Sequence, residues 1–177
     1  MISRYLIFIF ITVLFNNSVY STETKSSSDA KSDGREDLSF MSVNNSDYKK
    51  GIDALKQAIK YDKKGKTDKA KKRFNDVIKF LIIANEENPN EPDILNYLGY
   101  SFRKVDDFAM AEIYYEQGLA IDPQHIGINE YLGKLYIETN RIDRAKERLK
   151  VLEDCKCKEF DQLQNLISKY RFIVNFQ

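Results

Sequence analysis

The sequence predicts an all-α protein built from stacked helical hairpins. Three observations predict it. Gly and Pro number 7 and 3 among 177 residues, too few for the many tight turns of an all-β domain. Beyond the polar N-terminal region, apolar residues recur at steps of three and four, the period of a helix face. A set of residue classes also recurs in one register, 34 residues apart, from Tyr97 to Tyr131.

Composition limits the chemistry. The hydrophobic set is 42% and the charged set 31%, so a buried core is available. Lys plus Arg is 28 against 27 for Asp plus Glu, a net charge of +1, which argues against a dedicated nucleic-acid binder. A single His excludes a multi-histidine zinc site and a His pair for acid–base work. Neither a catalytic nor a metal-ligating constellation emerges, and no cofactor is expected. The Asp and Glu residues are expected on solvated faces, and His125, after Pro123, is expected as polar loop filling.

The elements follow in chain order. Met1–Arg4 is basic, and Tyr5–Phe15 is apolar except for Thr12. That run is well short of the ~20 residues of a membrane span. It matches the apolar part of a signal peptide, and Val19-Tyr20-Ser21 suits cleavage after Ser21. Residues 1–21 are therefore predicted as a signal peptide, the alternative being a short uncleaved anchor. The expected location is periplasmic or otherwise exported, with no integral membrane span after removal. No Cys lies near the cleavage point, which argues against a lipid anchor. Residues 22–46 are rich in Ser, Asp, Lys and Asn and are predicted as a disordered linker. Leu38–Val43 is its apolar island.

The first hairpin, 47–90, is the divergent one. Ala58, Tyr61, Ala70 and Phe74 sit 41 residues before Gly99, Phe102, Ala111 and Tyr115, whereas Ala84 and Pro89 sit 34 before Gly118 and Pro123. The difference is close to two helical turns, so the apolar face is kept. The second helix is thus predicted to be long, Thr67 to Glu87, with Gly65 as turn and Thr67 as N-cap. In the second hairpin, 91–124, Pro92 and Asp93 open a helix whose face is Ile94, Leu95, Leu98 and Phe102. Asp106 or Asp107 caps the next helix, lined by Phe108, Ala111, Tyr115 and Leu119. Gly99 and Ala111 let the two helices approach closely. The third hairpin, 125–157, repeats Tyr131-Leu132-Gly133, Tyr136, Ala145 and Leu149, with Asn129 departing at a large-residue place. Beyond it, Phe160, Leu163, Ile167, Tyr170 and Val174 predict a capping helix within 158–177.

Leu95, Leu98, Gly99, Phe102, Ala111, Tyr115, Gly118 and Pro123, followed by Leu132, Gly133, Tyr136 and Ala145, resemble the tetratricopeptide repeat (TPR) family. The resemblance covers roughly Ser46 to Asp154. It implies a right-handed superhelix of hairpins and a non-enzymatic module that binds a peptide or protein segment on its concave surface. It places Asp93, Asn96, Tyr100, Arg103 and Lys104 there, with Gly127, Glu130, Lys134, Ile137 and Glu138 from the next unit and Tyr97 and Tyr131 at the edge. Arg103, Lys104 and Lys134 would attract an acidic segment. The full carboxylate-clamp constellation is not present. The Leu95–Tyr100 segment and the Cys pair after the last repeat also resemble small exported TPR proteins of Gram-negative bacteria, where the pair is spaced more widely.

Cys155 and Cys157 leave three readings open. They are a structural disulfide, free thiols, or a thiol-redox or soft-metal site. Lys56–Arg73 holds nine basic residues against Asp62 and Asp68. It is either a surface for anionic lipid, cell-wall polymer or an acidic partner, or a solvated face balanced by Glu86, Glu87, Glu91 and Asp93. The partner is expected to be a protein or peptide segment, with an envelope assembly as an alternative and nucleic acid not expected.

Overall fold

A computed structural model describes residues 46–174 of the chain, with side chains to residue 170. The contacts divide the chain into two units, residues 1–38 and 39–177, and every described residue belongs to the second. The predicted signal peptide, the linker up to Ser46, Leu38–Val43 and the Val174 side chain lie outside what is described. The described residues form seven α-helices and no strand. They are α1 (Ser46–Asp62), α2 (Thr67–Glu87), α3 (Pro92–Lys104), α4 (Phe108–Ile121), α5 (Ile126–Glu138), α6 (Ile142–Val151) and α7 (Lys158–Val174). None is long and apolar enough to cross a membrane.

Each helix packs on the next in sequence, and α3, α5 and α7 also lie side by side. Helix α2 has 21 residues against 14 in α4, which is the two-turn extension that the shifted register predicts. Helix α1 is lengthened too, with 17 residues against 13 in α3, and its Gly51 packs against Leu81 in the added turns of α2. Phe74, Val77 and Leu81 are fully buried against Ala54, Leu55 and Ala58. Each such side chain contributes ~1.5–3 kcal/mol by leaving water. A second cluster joins α4 to α7, and Phe102 packs against both clusters.

The turns within the hairpins share one backbone device. Gly65, Asp106 and Asn140 all have positive φ, at 67°, 68° and 60°. They occupy the same place in the three units, at the 41- and 34-residue offsets of the repeat. Gly, Asn and Asp are the residues that tolerate this left-handed conformation. Asp107 caps α4 by accepting from the Met110 N–H at 3.1 Å. The Thr67 cap is corrected: Thr67 is the first helical residue, and Lys66 holds the cap position without a side-chain bond.

The close approach predicted at Gly99 is specific. A Cβ there would lie 2.5 Å from the Tyr115 ring, which is fully buried. In the next unit the neighbour changes. A Cβ on Gly133 would meet Leu163 of α7 at 2.6 Å. Leu149 replaces the aromatic in this unit, and α7 supplies the side chain that fills the place. Leu163 and Ile167 are buried there, so α7 closes the end of the stack.

Gly99→Ala tests this joint. At an open helical site the change gains ~0.5–1 kcal/mol. Here overpacking a ring with no room to move costs ~1–3 kcal/mol. Denaturant unfolding should show a net loss, and a net gain would refute the packing.

Candidate functional site

The groove residues expected from the sequence separate into three groups. Tyr97, Tyr100, Arg103, Tyr131, Lys134 and Glu130 come together on α3 and α5. Tyr100 meets Phe74 edge-to-face with ring centroids 5.7 Å apart, and meets Tyr131 at 5.0 Å. The Arg103 guanidinium lies 5.6 Å from the Tyr100 ring centre and 5.9 Å from that of Tyr131. Lys134 lies 5.1 Å from the Tyr131 ring. Such stacking suits planar guanidinium and aromatic faces.

The second group carries charge that is already matched. Arg103 donates to Glu138 at 2.6 Å, joining α3 to α5. Lys104 pairs with Asp62 at 2.7 Å, joining α3 to α1. Lys134 pairs with Glu130, which is only 4% exposed. Glu130 is therefore a correction to the expectation that the carboxylates are solvated. The three cations expected to attract an acidic segment each have an internal carboxylate.

The third group is diverted into structure. Asn96 is 6% exposed, and its Nδ2 would lie 2.8 Å from a Cβ on Gly127, so it packs between α3 and the start of α5. Asp93 is exposed and meets His125 Nε2 at 3.1 Å. His125 Nδ1 accepts from the Ile128 N–H at 3.2 Å. With Nδ1 accepting, Nε2 carries the proton and donates to Asp93. His125 is thus the N-cap of α5, not loop filling. Asn129, at the departing position, is fully buried. It donates to the Pro123 and His125 carbonyls at 3.0 Å and accepts from Arg148 at 3.4 Å. A polar residue stands there because the loop carbonyls need a donor.

The groove's electrostatics centre on Tyr115. Burial pushes its hydroxyl far above the ordinary phenol range, against the lowering effect of Arg103. Burial disfavours the Arg103 charge, but Tyr115 and Glu138 outweigh it and hold its pKa above the usual value. Burial also pushes Tyr100 up to about 12. The Tyr97 phenol is raised as well, by burial and then by Asp93 and Tyr48. Nothing in the sequence marked Tyr115 as a partner of Arg103, since they stand on different helices.

Cys155 and Cys157 are joined by a disulfide between α6 and α7, and neither is a free thiol in this structure. Cys155 packs against the second core cluster. The described residues contain no group of three or more metal-binding side chains. A separate pocket of about 270 Å³, between α4 and α6, is lined by Glu116, Leu119, Arg144 and Glu147 among others.

Stacked hairpins with a half-buried aromatic strip on α3 and α5 define a helical repeat protein. The model of the tetratricopeptide repeat family matches residues 103–170. The first TPR domain of Spaghetti (RPAP3), solved with the HSP90 peptide SRMEEVD, is 16% identical, with a TM-score of 0.52 over 69% of this chain and 96% of that one. The Arabidopsis OM64 TPR domain is 14% identical, with a TM-score of 0.48 over 70% of this chain and 98% of that one. The TPR2B domain of yeast Sti1 is 17% identical, with a TM-score of 0.47 over 68% and 97%. The likeness to the Spaghetti domain concerns the fold. No curated protein matches the sequence.

Two outcomes are expected. His125→Ala should cost ~1 kcal/mol and lower Tm by a few degrees, with His125→Asn restoring most of it as an alternative N-cap. In alkali, phenols of the unfolded chain ionise from about pH 10 while Tyr100 and Tyr115 stay protonated in the fold. The folded state then holds more protons, so stability falls as pH rises above 10. Tyr100→Phe with Tyr115→Phe should flatten that fall in urea melts across the range.

Proposed function

We propose that the protein is an exported, non-enzymatic interaction module that holds an extended peptide or protein segment along the face of α3 and α5. The Tyr97–Tyr100–Tyr131 strip carries this reading. Its rings are half-buried, with Tyr100 braced by Phe74 and Arg103 and Tyr131 by Arg103, so they present rigid apolar plates with hydroxyls at little entropic cost. The Spaghetti domain, of the same fold, was solved with a peptide bound.

The charge pairing refines the partner. Arg103, Lys104 and Lys134 are matched by Glu138, Asp62 and Glu130. An acidic tail would have to displace those carboxylates. A segment with apolar or aromatic side chains and free backbone amides needs no such exchange. Export rests on the Met1–Ser21 pattern in the sequence, and the periplasm or an equivalent compartment is the expected site of action.

A photo-crosslinking residue at Tyr97, compared with one at Ile113 on α4, tests the proposal in the native extract. A discrete neighbour should be captured from position 97, survive ~0.5 M salt, and vanish in Tyr131→Ala while the thermal melt stays cooperative. Equal capture from both positions, or loss in salt, would sink it.

A further inference from the structure

The basic segment of the first hairpin is not used by the groove. Its own acids and neighbours have fixed partners. Asp62 pairs with Lys104, Lys71 with Asp106, Arg73 with Asp76 and Lys56 with Asp53. That leaves Lys60, Lys63, Lys64, Lys66, Lys69 and Lys72, all exposed around the Gly65 turn and none with a carboxylate at ion-pair distance among the described residues. Asp68 is the one unpaired carboxylate in the group.

The acids expected to balance this charge stand elsewhere. Glu86 and Glu87 end α2, whose 21 residues span ~30 Å. Glu91 and Asp93 lie beyond them, and Asp93 is engaged by His125. Salt screens exposed charges over ~8–10 Å, so a carboxylate three times as far away does not neutralise the turn. The unpaired positive charge of the first hairpin is therefore concentrated at its turn.

We infer that the α1–α2 turn docks on an anionic phospholipid surface. The residue types favour a bilayer over other polyanions. All six cations are lysines, mobile point charges without the forked geometry that selects a single phosphate. Strand-binding surfaces interleave cations with stacking aromatics; around this turn the sole ring is Tyr61, which packs against the first core cluster. The large exposed apolar residues Ile83, Ile113, Ile121, Ile126 and Leu166 lie away from the turn, so attachment is electrostatic without insertion. Each lysine near such a surface contributes ~1 kcal/mol, and the sum disappears in high salt.

The test uses the full chain on vesicles of three parts phosphatidylcholine to one part phosphatidylglycerol. The variant replaces Lys63, Lys64, Lys66 and Lys69 by Glu. Glu at 66 and 69 complements the start of α2, whereas 63 and 64 follow the end of α1, so an unchanged helix content and thermal melt are required of the variant before its binding is compared. The wild type should sediment with these vesicles at low salt, release at ~0.5 M salt, and ignore pure phosphatidylcholine. The variant should lose at least ~100-fold in partitioning. Equal sedimentation of variant and wild type overturns the inference. So does salt-resistant binding to phosphatidylcholine, which would assign attachment to the apolar N-terminal run. Retention of a DNA duplex at low salt with no vesicle binding would assign the patch to a polymer and equally overturn it.

Discussion

The contact between Gly99 and the Tyr115 ring is the constraint on which the groove depends. Without a Cβ at Gly99, α3 and α4 close until the Tyr115 ring packs against α3 at that residue. The ring is then fully buried and its hydroxyl comes up beneath Arg103. Arg103 is braced in turn by Tyr100 and Tyr131 and anchored by Glu138 on the next unit. One close approach inside a hairpin thereby sets the position of a side chain that couples two hairpins. Uncoupled, a buried guanidinium would cost several kcal/mol. The carboxylate and aromatic faces around it offset that cost.

The same logic of local pairing divides the molecule's charge. Within the groove Arg103 and Lys104 have carboxylates from neighbouring helices and Lys134 has one from its own, so the surface offered to a partner is aromatic and nearly neutral. Ion pairs such as Lys71–Asp106 and Arg141–Glu112 continue the pattern along the array. At the α1–α2 turn the pattern stops. The partners that would neutralise its lysines sit at the other end of a long helix. A net charge of +1 is the average of these two arrangements.

The ends of the stack are handled differently from its middle. The first hairpin is lengthened on both helices, which enlarges its own core and leaves α1 exposing mostly charged residues. At the other end α7 lends Leu163 to Gly133, the place that Tyr115 fills in the preceding unit. Each repeat cannot bury its apolar face alone, so a stack needs such terminal devices.

Much of the fold was legible in the sequence. The helix periods, the 34-residue register and the two-turn insertion in α2 are local or translational properties, and a linear pattern records those directly. The groove was legible only as a face. The sequence put Tyr97, Tyr100, Arg103, Tyr131 and Lys134 on one side of the array, because helical spacing determines which residues share a side. It did not show that Asn96 is buried, that Glu130 is buried with Lys134, or that His125 caps α5 and binds Asp93. The burial of Asn96 and Glu130 and the Asp93–His125 contact depend on how α5 packs onto α3, which no spacing along one chain encodes, whereas the His125 cap is a local bond to the Ile128 N–H. By itself the sequence determined which residues are helical and which way they face. Only the tertiary structure decided which charges are neutralised between units, as in Arg103–Glu138 and Lys104–Asp62, since those pairs depend on side chains from separate units meeting within a few ångströms.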